Sequence, residues 1–177
     1  MARWWRLRPA LTLLLGLAVV VGIVLSRTTQ SQPEPIYLPC GTLNTLALTL
    51  SGGGRSLILD RSDLNSPWTV GGPTPDLADQ VRVDELLDHL SLILPSSPPP
   101  GSARARGLTP PRLQVMCRVQ GGGSYNLSVG NPSPGGAGYY AERSGDSRVV
   151  VIPAVAVESI DRTLVLPPIG PGPSPSG

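Results

Sequence analysis

Phenylalanine and lysine are absent from the 177 residues, histidine occurs once, and aromatic side chains make up only 4%. Each shortage excludes something. Without Phe, a core has to be assembled from Leu, Val, Ile and Ala, with Trp68 and the tyrosines as its few large pieces. With His89 as the single imidazole, catalysis built on a nucleophile, a base and an orienting group has to use that residue. All 14 basic residues are arginine, and three of them, Arg3, Arg6 and Arg8, precede a long apolar run that no acid precedes. The remainder carries 11 Arg against 12 acids, without the clustered positive charge that binding a phosphate backbone requires, so nucleic acid is not an expected partner. No Gly-Gly-Gly run is followed by Lys-Ser/Thr, which excludes a phosphate loop.

What the chain has instead is glycine and proline, 21 of each, gathered between apolar segments as loops and tails gather them. From Ala10 to Leu25 runs an apolar stretch of 16 residues, about 24 Å long as a helix and at the short end of the membrane-spanning range. Trp4 and Trp5 suit its interface, and the three preceding arginines favour a cytoplasmic N terminus at the cytoplasmic membrane. No small-residue cleavage site follows, so an uncleaved single-pass anchor over residues 1–27, touching lipid through residues 10–25, accounts for the segment better than a removed signal peptide. Either way the rest is exported. Residues 28–39 hold Pro33, Pro35 and Pro39 and read as a tether, leaving 40–166 for one small domain.

That domain is expected to be α+β. Leu46, Leu48 and Leu50 alternate with small residues, a Gly-rich turn follows at 51–54, and 56–61 completes a hairpin. Pro67 to Val70 gives a third strand. Asp79 caps an amphipathic helix whose stripe, Val83, Leu86, Leu87, Leu90, Ile93 and Leu94, ends at Pro95. Residues 95–107 lack apolar periodicity and are expected to be a mobile loop. A second hairpin places Leu113, Val115, Cys117 and Val119 opposite Tyr125, Leu127 and Val129. Strands at 139–142 and 148–152 follow, then a short helix opened by Pro153, then a tail from Pro167 to Gly177 too poor in apolar groups to order itself.

Several strings, in order, resemble the bacterial family called domain of unknown function 4340: Gly107-Leu108-Thr109-Pro110-Pro111, the segment from Gly130 to Ala141, and Arg148-Val149-Val150-Val151-Ile152-Pro153. The Trp68 strand and the Val83 to Leu87 helix are similar too. The resemblance implies an envelope protein, commonly held by one helix and often encoded beside ABC-type export components, with no established catalytic residues and no cofactor. The single domain copy and the Pro/Ser-rich stretch at 95–107 depart from many relatives.

The function expected is a noncatalytic accessory or binding module of an envelope or ABC-type transport assembly. The alternatives are an envelope hydrolase acting on glycan or peptide, and a structural spacer. His89, Asp84, Glu85 and Asp88 read as solvated residues on the outer helix face rather than as a base or a metal site, and Asp60, Asp63 and Asn65 as turn residues. Partner contact is expected along Asn131, Pro132, Gly135, Gly136, Gly138, Tyr139 and Tyr140, where a glycine-rich loop ends in adjacent tyrosines, one of them pointing outward. Cys40 and Cys117 either close a disulfide, which an exported domain would retain, or remain two thiols.

Overall fold

A computed structural model describes residues 37–72, 75–98, 101–136, 138–146 and 148–170. The anchor and most of the tether expected over 1–36 lie outside these residues. Among the described residues, no helix is long and apolar enough to cross a membrane.

Alternation builds the sheet. In β1 (Thr45–Gly52) and β2 (Arg55–Asp60), Leu48, Leu50, Leu57 and Leu59 point to one face and are buried, while Gly53 and Gly54 take φ of +57° and +74° to close the hairpin. A register shift between Thr45 and Ala47 breaks the expected pattern at Leu46, and Thr45 is buried instead. Two-residue strands β3 (Thr69–Val70) and β4 (Asp76–Leu77) extend the sheet at one side. On the other side lie β5 (Leu113–Val119), β6 (Ser124–Pro132), β7 (Gly138–Arg143) and β8 (Val149–Pro153). The described strands form one antiparallel sheet in the order β4-β3-β2-β1-β5-β6-β7-β8.

Helices α1 (Gln80–Ser91) and α2 (Ala154–Val165) cover one face. Val83, Leu86, Leu87 and Leu90 of α1 and Val157, Ile160 and Leu164 of α2 join the strand leucines and valines in a single core. Each such burial contributes about 1.5–3 kcal/mol, which is how a core without Phe suffices. The α+β reading therefore holds. Asp79 caps α1 through the Arg82 amide, 3.3 Å away. The helix stops at Ser91, not at Pro95 as expected. Leu94 stands before a proline and is steered away from helical geometry, and Ser96 exchanges two 2.9 Å backbone hydrogen bonds with Val151 at the edge of β8.

That pairing also corrects the reading of 95–107 as a free loop. Ser96 bridges the β8 edge, and Leu108, Tyr140 and Val151 are buried outside the main core. Nor does the fold end at 166. Leu166 and Pro167 carbonyls accept from Arg82, the Pro168 carbonyl accepts from the Asp79 amide at 2.7 Å, and the Gly170 amide donates to Leu77 at 2.8 Å. Both edges of the sheet are thus closed by proline-flanked segments, which denies them to stray strands. At the start, Tyr37 and Leu38 are buried, so the domain opens there rather than at Cys40.

Side chains brace the end where the chain comes in. Cys40 and Cys117 are joined in a disulfide with Cα atoms 6.2 Å apart. Arg61, 9% exposed, donates to the carbonyls of Thr45 (2.8 Å), Leu64 (3.0 Å) and Thr42 (2.6 Å) and stacks 4.5 Å over Trp68. Burial lowers the pKa of its guanidinium. Arg143 holds the Tyr37 carbonyl at 2.7 Å.

Candidate functional site

The strands run between two ends. Tyr37 and the turns after β2, β5 and β7 lie at the near end. The β1–β2 turn, the start of β5 and the β6–β7 connection lie at the far end.

At the far end the three strings quoted from the sequence meet. The Asn131 amide donates to the Arg106 carbonyl at 2.7 Å, and a Cβ on Gly130 would collide with that same carbonyl. A Cβ on Gly107 would strike the Asn131 amide group, and one on Gly138 the Ile152 carbonyl. Glycine is required at Gly130 and Gly138 because main chain lies against main chain, and at Gly107 because φ is +71° and the Asn131 side chain fills the space a Cβ would take. The close approach expected toward a partner is therefore, at Gly130 and Gly138, an approach to the chain itself.

The connection is also shorter than the sequence suggests. Gly130, Asn131 and Pro132 complete β6, Gly138 opens β7, and a 3-10 turn over Pro134–Gly136 lies between, with Gly135 and Gly136 at φ of +83° and +73°. Asn131, Pro132, Pro134, Gly135 and Gly136 are exposed, whereas Gly138 is buried. The tyrosine pair departs from expectation. Tyr140 is 8% exposed, with the Arg106 guanidinium 5.5 Å from its ring, and Tyr139 is half-buried with Arg112 5.2 Å from its ring. Neither ring stands free, because a guanidinium lies over each.

Arg112 organises the neighbouring surface. Its amide donates to Val129 at 2.8 Å and its guanidinium pairs with Asp161 of α2. Two shallow grooves, of about 300 and 140 Å³, share Gly52, Gly53, Arg112 and Leu113, and the smaller adds Arg55 and Asp161. Chemically this end offers main-chain amides and carbonyls, proline rings and a guanidinium, a set suited to contact. A third groove, of about 540 Å³, lies at the near end between Asp60, Ser62, Ser66, Thr69 and Arg118.

The remaining sequence candidates are dispersed. Asp84, Glu85, Asp88 and His89 are exposed on α1, and His89 Nδ1 lies 3.1 Å from Ser159 Oγ on α2. None of the three grooves includes either residue of that pair. Asp63 accepts from Ser66 Oγ at 2.7 Å and from the Asn65 and Ser66 amides, the bonding of a turn residue, and these bonds lower its pKa. Among the described residues, no group of three or more His, Cys, Asp or Glu could hold a metal ion. Sequence reasoning missed Arg61 and Arg112, since an isolated arginine carries no periodic signal.

The family model described as Domain of unknown function (DUF4340) matches residues 68–164, more than half of the chain. No curated protein and no solved structure matches.

Proposed function

We propose, from the premise that the chain belongs to the DUF4340 domain family, that it is a membrane-anchored, noncatalytic accessory or binding module of an envelope or ABC-type transport assembly. Residues 10–25 hold it at the cytoplasmic membrane, with the N terminus cytoplasmic and the domain outside. The apolar run with its leading arginines supports the anchor. The Cys40–Cys117 disulfide supports export, because such bonds persist outside the reducing cytoplasm.

The observation that carries the binding role is the convergence of the Gly107, Gly130 and Arg148 strings at the far end, where the exposed rim is main chain and proline. Pro134→Glu places a charge on that rim without touching the core. It is expected to leave thermal unfolding unchanged while reducing crosslinking to membrane proteins in cells, whereas Ser124→Glu at the near end leaves both unchanged. Equal crosslinking by Pro134→Glu and the parent protein removes the binding role.

The contact between His89 and Ser159 favours a second reading, that of a hydrolase. It requires Ser159 to react with a fluorophosphonate, with labelling lost in His89→Ala. The outward position of His89, away from the grooves, argues for the binding module.

A further inference from the structure

We infer that the near end of the domain rests on the lipid surface, with Leu43 and Leu92 inserted among the headgroups and upper acyl chains. The inference rests on the anchored reading of residues 10–25.

These two leucines are 87% and 71% exposed. They also share a neighbourhood. A Cβ on Gly41 would lie 3.5 Å from the Ser91 Cβ, so the loop over 41–44 packs on the last residue of α1, and Leu92 follows immediately.

Leu43 is not thrust outward by a loose loop. Asn44 Oδ1 accepts from the Gly41 amide at 3.0 Å, and its Nδ2 donates to the Pro39 carbonyl at 3.0 Å. Thr45 Oγ1 donates to the Gly41 carbonyl at 2.8 Å, and Arg61 reaches the Thr42 carbonyl at 2.6 Å. The disulfide at Cys40 fixes the strand of chain just before it. A loop bonded on both sides of Leu43 holds an apolar side chain in water, and nothing within the fold uses it.

The chain preceding the domain says what covers it. On the anchored reading the bilayer ends near Ser26, and residues 26–36 reach at most about 40 Å when fully extended, less with Pro33 and Pro35 among them. That tether joins Tyr37, whose carbonyl Arg143 holds at this same end. A short leash keeps the near end at high effective concentration beside the membrane, so two leucines suffice where a free protein would need a larger apolar face.

The test uses full-length protein in phosphatidylcholine–phosphatidylglycerol vesicles, with the photoreactive residue p-benzoylphenylalanine in place of Leu43, Leu92 or, at the far end, Pro134. Irradiation is expected to give phospholipid adducts at the first two positions and none at 134. In an L43S background the adduct at 92 falls several-fold, with the thermal midpoint unchanged because the Leu43 side chain is already in water. Vesicle flotation reads the anchor separately. A protein that floats but gives no lipid adduct at 43 and 92, or that crosslinks there to a second copy, overturns the inference and leaves the anchor standing. A protein that does not float overturns the anchor and the inference with it.

Discussion

The two ends of the sheet are held by different means. At the near end the bracing is side-chain chemistry: a disulfide, a buried guanidinium on three carbonyls, and a second arginine on the Tyr37 carbonyl. At the far end it is the lack of side chains, since Gly130 and Gly138 let main chain lie on main chain and Gly107 makes room for the Asn131 amide group. The difference has a consequence for surfaces. Side-chain bracing turns polar atoms inward and leaves only deliberate projections, such as Leu43, outside. Glycine packing leaves a rim of peptide groups and prolines that a partner's backbone can approach.

The largest expected effect breaks the near end. The disulfide spans a sequence separation of 77 residues, and Cys117→Ala should lower stability by about 4 kcal/mol, read as a shift of the guanidinium midpoint. Reducing the parent protein should reproduce most of that shift. If reduction changes nothing, the chemical bracing of this end is wrong.

Next comes the far end, where Gly138→Ala should cost about 2–3 kcal/mol because its Cβ meets the Ile152 carbonyl and β7 has to move away from β8. Gly54→Ala, at a positive φ but with open space around it, should cost only about 1 kcal/mol. Equal costs at the two sites would mean that backbone angle, not close approach, selects glycine at the far end.

The contrast also separates what the sequence reveals from what it hides. Period-two alternation in Leu113 to Val119 and the stripe from Val83 to Leu90 are local signals, and both elements lie where those signals put them. The far end was legible as strings but not as a place. Gly130 and Gly107 are 23 residues apart, and only the folded sheet shows that Gly130 lies on the Arg106–Gly107 main chain while Gly107 makes room for the Asn131 side chain. Whether Cys40 and Cys117 pair depends on a Cα separation that no spacing encodes. The bulge that displaces Leu46, the Ser96 pairing that ends α1 early and the burial of Tyr140 are likewise tertiary. Each overrides a correct local rule by supplying a competing partner from elsewhere in the chain.

The smallest expected effect is electrostatic and belongs to the near end. Arg148 grips both carboxylate oxygens of Asp146, at 3.0 and 2.9 Å, and holds its pKa at about 2, below the usual 3.8. A depressed carboxyl pKa contributes stability that is present above pH 3.8 and lost as pH falls through 2. Asp146→Asn should therefore be less stable than the parent near neutrality, where that contribution is present, show a flatter profile between pH 3.8 and 2, and match the parent below pH 2. A profile as steep as the parent's would show that Asp146 does not contribute.

The claim that the two ends face different surroundings is tested most directly by measuring how far each lies from the bilayer. A donor dye carried on an azide-bearing residue in place of Leu92 or of Pro134, with an acceptor dye in the headgroup layer, gives both distances in the full-length protein by energy transfer. Strand β6, nine residues long, sets the spacing at roughly 30 Å. The expected result is a near-end dye within about 10 Å of the headgroups, the depth range of interfacial insertion, and a far-end dye farther out by nearly that strand length. Equal distances, or a far end closer to the lipid than the near end, would contradict the account.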